Sequence, residues 1–246
     1  NRREARRLRD CSSDYLLPGM NGRSALITGA SGALGRELAI AFSQLGHVIL
    51  SGRDTYRLSS TAQACKDPSS TTLVYGNLSS SEVRTSLASF ADIYNTEFLI
   101  CCAGEYLGGK FETTDKERIP SVLNTNLTDT ISLVRCVYPV IKRMMGVIIA
   151  INSVAGRSVS SNEPVYCASK FGLTGFFESF RYEARQSNVR IIDVFLGGMA
   201  SAMTKERADL AKLIQPEEAA KVIYAAAVEH HETVTVEQLH LGRVRF

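Results

Sequence analysis

Tyr166 and Lys170 stand four residues apart, so on a helix they share one face, and thirteen residues before the tyrosine Ser153 closes the run Val147-Ile-Ile-Ala-Ile-Asn152. A phenol, an ammonium and a hydroxyl gathered at one place can exchange a proton with a carbonyl oxygen. An unperturbed phenol titrates near ~10, so the tyrosine needs a neighbouring cation to lower it, and Lys170 is one turn away. The Tyr-x-x-x-Lys spacing also occurs at Tyr106 to Lys110 and Tyr138 to Lys142. The first spans Gly108 and Gly109, which weaken a helix, and the second spans Pro139. Only Tyr166 follows an apolar run that ends in serine.

The elements that must position these groups are legible around them. Val147–Ile151 is unbroken, apolar and mostly β-branched, as suits a central strand of a parallel sheet buried on both faces. A serine at its carboxyl end lies where open α/β sheets bind ligands. The chain alternates such strands with helical patterns. Strands are expected at 22–29, 47–51, 71–75, 97–101, 147–153, 189–195 and 234–241. Helices are expected at 34–45, 54–66, up to Tyr94, from Pro120 onward with Val122, Leu123, Leu127, Ile131, Val134 and Val137 as its stripe, at 164–186, at 205–214 as a short lid, and from Pro216. The pattern predicts an α/β fold, a doubly wound parallel sheet of about seven strands with helices on both faces. It forms a single domain over 21–246 behind a basic extension at 1–20.

Between the first strand and first helix lies Thr28-Gly29-Ala-Ser31-Gly32-Ala33-Leu34-Gly35. Glycines at such a turn let the backbone approach a pyrophosphate, which the helix's first N–H groups and positive dipole end then hold. An ordinary tight turn uses the same residues; the flanking strand and helix favour the phosphate. At the second strand's tip, Gly52 takes the place where a carboxylate would bind an NAD ribose, and Arg53 follows as a cation suited to the 2′-phosphate of NADP. NADP(H) is therefore expected over NAD(H), with Asp54 the contrary signal.

Taken together, Ser153, Tyr166, Lys170 and the glycine turn resemble the short-chain dehydrogenase/reductase superfamily in its compact, Rossmann-type branch. Ala33 stands where the family's middle glycine is usual, and the Gly29, Gly32, Gly35 spacing is closer to the larger, epimerase-containing branch. The resemblance implies that Asn126 is the helix asparagine of the active site, holding a water that relays protons to Lys170. It implies that Lys170 also binds the nicotinamide ribose, that Asn77 and Leu78 meet the adenine, and that Ala103 and Gly104 form the turn after the fourth strand. It further implies that Gly198 and Ser201 approach the nicotinamide. Cys102 replaces the family's asparagine and Gly197 its proline. The activity implied is interconversion of a carbonyl and an alcohol on a small organic substrate. Residues 105–112, 157–165 and 199–214 line its pocket, and pairing into a homodimer or homotetramer runs through helices 120–142 and 164–186. Drift at Ala33, Cys102 and Gly197 leaves a non-catalytic NADP(H) sensor or scaffold as the alternative, and an epimerase or dehydratase as a third.

Composition narrows the rest. A net charge of +3 gives no nucleic-acid footprint. The six cysteines show neither zinc spacing nor a disulfide framework, so no metal is expected. No apolar run reaches the length of a membrane span, and a cytoplasmic location is expected. The five arginines among the first nine residues read as a solvated tail, with an organellar targeting remnant as the other possibility.

Overall fold

The computed structural model describes residues 22–159, 161–201, 204, 212–229 and 234–243. The 1–20 extension and residues 205–211 of the expected 205–214 lid helix lie outside the described residues. Seven strands, β1 Ala25–Thr28, β2 Val48–Gly52, β3 Thr71–Tyr75, β4 Phe98–Cys101, β5 Val147–Ser153, β6 Arg190–Leu196 and β7 Gln238–Leu241, form one sheet in the order β3-β2-β1-β4-β5-β6-β7. Every neighbouring pair is parallel. The doubly wound Rossmann-type fold expected from the sequence is the fold observed.

Its apolar strands pack two separate cores. On one face Ile27, Leu50, Ile100, Ile149 and Val194 meet helices α1 (Ala33–Phe42), α2 (Thr55–Ala64) and α7 (Pro216–Val228). On the other, Leu26, Ile49, Leu99, Ile148 and Ile191 meet α3 (Ser81–Ile93), α5 (Asp129–Arg143) and α6 (Pro164–Gln186). Alternate residues of a strand point to opposite faces, so continuous apolar runs are what two covered faces require. The chain winds outward from β1 to β3, then returns to place β4 on the other side of β1. The crevice at that reversal opens at the strands' carboxyl ends, over the β1 tip.

Two elements differ from expectation. The long helix starts at Arg118, with Pro120 in its first turn, and is not regular. A short α4 (Arg118–Leu123) passes through a π-helical turn at Asn124–Thr128 into α5. The extra residue rotates the remainder of the helix and turns Thr125, Asn126, Asp129 and Thr130 inward, whereas the expected stripe residues Leu123, Leu127 and Ile131 are only half-buried. The last strand begins at Gln238, not Val234. The Glu237 carbonyl accepts from the Asp193 N–H and the Arg181 guanidinium, and residues 234–236 before it lie outside the strand, with Val234 exposed.

Candidate active site

The β1–α1 turn is shaped by contacts that only glycine permits at two positions. Gly29 has φ +66°, and a Cβ there would lie 2.8 Å from the Ala103 nitrogen. At Gly35 it would lie 2.2 Å from the Gly29 carbonyl oxygen, so the helix could not seat against the strand. Gly32 caps α1 without a side-chain hydrogen bond, and the first turn of α1 carries no acid. An open helix N-terminus beside a glycine-lined cradle fits a pyrophosphate. Ala33 and Leu34 supply the first backbone N–H groups of that turn; Ala33, in place of glycine, is simply the first helical residue.

Thr28 organises the next strand over. Its Oγ1 donates to the Ile100 carbonyl at 3.3 Å and accepts from the Cys102 and Ala103 N–H groups at 3.1 and 3.2 Å. The turn through Gly104 is thus tied to β1 by a threonine hydroxyl. A Cβ at Gly52 would sit 2.8 Å from Ser31 Oγ, so a side chain there requires the serine to move. Arg53 beyond it reaches across to Glu105 at 2.6 Å. Asp54 caps α2 by accepting the Arg57 N–H. Asn77 is exposed, and its Oδ1 accepts the Ser79 N–H at 3.2 Å; Leu78 is buried beneath it.

At the β5 tip the structure brings Ser153, Tyr166 and Lys170 together. Ser153 Oγ accepts the Ala155 N–H at 3.1 Å, which fixes its rotamer, and its hydroxyl draws the nearby Tyr166 phenol toward ionisation. Lys170 is buried, its Nζ donating to the Ile151 carbonyl at 3.1 Å and lying 5.8 Å from the Tyr166 ring centre. The Tyr106 ring packs edge-on against Tyr166 at 5.1 Å. Burial drives the Tyr166 phenol up to about 12, partly offset by the Ser153 hydroxyl and reinforced by Glu163 and Tyr106. This corrects the expectation that Lys170 lowers it: the ammonium is held down against the strand carbonyl, and desolvation of the phenolate dominates. Burial likewise brings Lys170 down to about 8, against the pull of Cys102 and Asp193.

Asn126 sits in the π turn with its side chain fully engaged. Oδ1 accepts the Glu105 N–H at 2.7 Å, and Nδ2 donates to the Glu105 carbonyl and to Ser169 Oγ, each at 2.9 Å. It ties the loop after β4 to α6, and both amide protons are spent there. Gly198 accepts the Ile214 N–H. The Ser201 N–H donates to Thr204 Oγ1 at 3.0 Å, with the two hydroxyl oxygens 3.4 Å apart, so either could present a hydroxyl at the β6 tip.

Three contacts around the site escaped the sequence reading: the Arg53 to Glu105 bridge, the network Asn152, Thr174 and Asp193 beneath Lys170, and the hydroxyl tie of Thr28 to the Cys102–Ala103 turn. Asn152 Nδ2 donates to Thr174 Oγ1 at 2.9 Å and lies 3.5 Å from Asp193 Oδ2. Asp193 interrupts the otherwise apolar run Ile191-Ile-Asp-Val-Phe-Leu196, and a charge in a doubly covered strand was the available signal. Among the described residues no group of three or more His, Cys, Asp or Glu is placed to hold a metal, and no helix is long and apolar enough to cross a membrane. The five described cysteines are free thiols.

Residues 23–211 match the short chain dehydrogenase family. The chain is 31% identical over 239 residues to 3-oxoacyl-(acyl-carrier-protein) reductase FabG of Rickettsia felis, covering 91% of this chain and 96% of that protein. It is 29% identical over 226 residues to sepiapterin reductase of Chlorobaculum tepidum, covering 86% and 93%. A short-chain dehydrogenase/reductase structure from Vibrio parahaemolyticus superposes with TM-score 0.79 at 26% identity, over 89% of this chain and all of that one. With the glycine cradle and the Ser153, Tyr166, Lys170 cluster in place, the chain belongs to the short-chain dehydrogenase/reductase superfamily, oxidoreductases acting on CH–OH and carbonyl groups.

Proposed function

We propose that the protein is an NADP(H)-dependent oxidoreductase that interconverts a carbonyl and an alcohol on a small organic substrate, with Tyr166 as the proton-transferring group. The observation that carries this is the convergence of Ser153, Tyr166 and buried Lys170 at the β5 tip, with Lys170 Nζ 5.8 Å from the Tyr166 ring centre. A nicotinamide cofactor, when bound, supplies the hydride. Gly29, Ser31, Gly32, Ala33, Leu34 and Gly35 would hold its pyrophosphate, Ala103 and Gly104 the floor of the cleft, and Gly198 and Ser201 the nicotinamide end. Three features favour a 2′-phosphate over a free ribose hydroxyl. No carboxylate can occupy position 52 without displacing Ser31, Asp54 is committed to its helix, and the Arg53 side chain is 59% exposed.

In the reducing direction Ser153 Oγ hydrogen-bonds the substrate oxygen as charge develops on it. The Tyr166 phenol, held high, is protonated at neutral pH and donates its proton to that oxygen, an alkoxide being a much stronger base than a phenolate. Lys170, charged below about 8, offsets only part of the cost of burying the phenolate that remains. Asn126 positions the Glu105 loop and Ser169. Pairing of subunits through α5 and α6 accords with the half-buried Tyr138, Phe176 and Phe180 on those helices.

The test is purified protein with NADPH and a panel of ketones and diketones, followed at the nicotinamide absorbance. Turnover lost in Tyr166→Phe with NADPH binding retained is expected. Tight NADPH binding with no turnover of any carbonyl would instead make the protein a nucleotide sensor. Product formed without net cofactor consumption would indicate an epimerase or dehydratase.

A further inference from the structure

The Arg53 to Glu105 contact crosses the nucleotide cleft. Arg53 follows the tip of β2 and Glu105 follows the turn after β4, and β1 lies between those strands in the sheet. The 2.6 Å bridge therefore passes over the β1 tip. Its two ends are unequal. Glu105 is the anchor: its other carboxylate oxygen accepts from Ser121 Oγ at 3.0 Å, its backbone is clamped from both sides by Asn126, and its side chain is 15% exposed. Partial burial opposes its charge, yet the Arg53 and Ser121 hydrogen bonds hold the carboxyl below its usual range, so it is ionised at neutral pH. Arg53 is the arm, more than half exposed and with no second partner among the described contacts.

We propose that Glu105 is a specificity-determining residue for the cofactor: its carboxylate holds Arg53 across the cleft and competes with the 2′-phosphate of NADP for the guanidinium, narrowing the preference over NAD that Arg53 alone would give. This rests on the assignment of Arg53 to the 2′-phosphate in the proposed function. A phosphate dianion and a fixed carboxylate cannot both take the guanidinium's best hydrogen-bonding edge without like charges meeting. The non-phosphorylated ribose makes no such claim on Arg53.

The test is a set of dissociation constants for NADPH and NADH, measured by nicotinamide fluorescence with no substrate present, on wild type, Glu105→Gln, Arg53→Ala and the double variant, each checked by thermal melting. Glutamine keeps an acceptor for Ser121 and the backbone clamp while removing the charge. Glu105→Gln is expected to tighten NADPH about three- to tenfold, from the loss of a competing charge pair, and to change NADH less than about twofold. Arg53→Ala is expected to weaken NADPH about tenfold or more, and in that background Glu105→Gln should change NADPH less than about twofold. Unchanged or weaker NADPH binding in Glu105→Gln, or the same gain without Arg53, overturns the inference. If Arg53→Ala leaves NADPH binding intact, the cofactor assignment itself fails. Should the glutamine variant not fold, Glu105→Asp, which draws the carboxylate back by one methylene, must show part of the same gain or the inference is wrong.

Discussion

Asp193 offers a measurement of the electrostatics under the active site. It is fully buried in β6, its Oδ2 receives one 3.5 Å contact from Asn152, and its Oδ1 has no hydrogen-bond partner. The cations near it are engaged elsewhere: Lys170 on the Ile151 carbonyl, Arg181 on the Ile191 and Glu237 carbonyls, Arg157 on Glu178. Burial raises its carboxyl from 3.8 to about 6, against the Asn152 bond and the fields of Arg181, Lys170 and Arg157. A carboxyl raised in the folded state stabilises the fold while protonated, fully so below its unfolded value near 3.8, and that contribution is lost as pH rises through about 6. At neutral pH the ionised form then costs the native protein about 3 kcal/mol relative to the protonated one.

Asp193→Asn removes this titration and nearly preserves the shape. Its stability relative to wild type should therefore grow by about 1.4 kcal/mol between roughly pH 5 and pH 7.5. Urea denaturation of both proteins at the two pH values measures that difference of differences, in which any pH-independent cost of a poorly seated amide cancels. A gap that stays constant, or narrows as pH rises, would refute the reasoning.

Turnover should fall as pH rises through about 8, where Lys170 loses its proton, and Asp193→Asn should move that alkaline limb to lower pH, since the carboxylate helps hold the proton on Lys170; an unmoved limb in the pH profile contradicts the coupling. Gly35→Ala forces a Cβ to within 2.2 Å of the Gly29 carbonyl oxygen and should cost about 1–3 kcal/mol or more, visible as a lowered melting temperature together with lost NADPH binding. Asn126→Ala strands the Glu105 N–H and carbonyl and removes one donor to Ser169 Oγ, which keeps its bond to the Tyr166 carbonyl, and should cost about 2–4 kcal/mol in urea denaturation; near-wild-type stability would show that the clamp is dispensable.

Periodicity revealed the layers because both faces of the sheet are covered, so each strand announces itself as an apolar run. The glycine turn was legible for a related reason: backbone contacts at Gly29 and Gly35 tolerate no Cβ, and only one residue type can stand there. The turn at Cys102 and Ala103 is tied to β1 through its backbone N–H groups by Thr28 Oγ1, a contact that the residue types at 102 and 103 do not announce. What periodicity could not show was set by tertiary proximity. Arg53 and Glu105 are 52 residues apart in the chain and meet only because β4 returns beside β1. The direction of the Tyr166 shift was likewise hidden, because spacing places a cation one turn away but says nothing of how dry the phenol becomes.

The surplus residue at Asn124–Thr128 also makes chain length a working part of the site. A helix gains about 100° of rotation per residue, so excising Leu127 or Thr128 would let α4 and α5 wind as one uninterrupted rod, turning all that precedes the cut, Asn126 included, by about that angle. Asn126 would swing off the Glu105 backbone, and the loop bearing Glu105 would lose its tether to the helix that carries Tyr166. The irregular turn acts as a hinge pin whose removal would tidy the helix and take the active site apart.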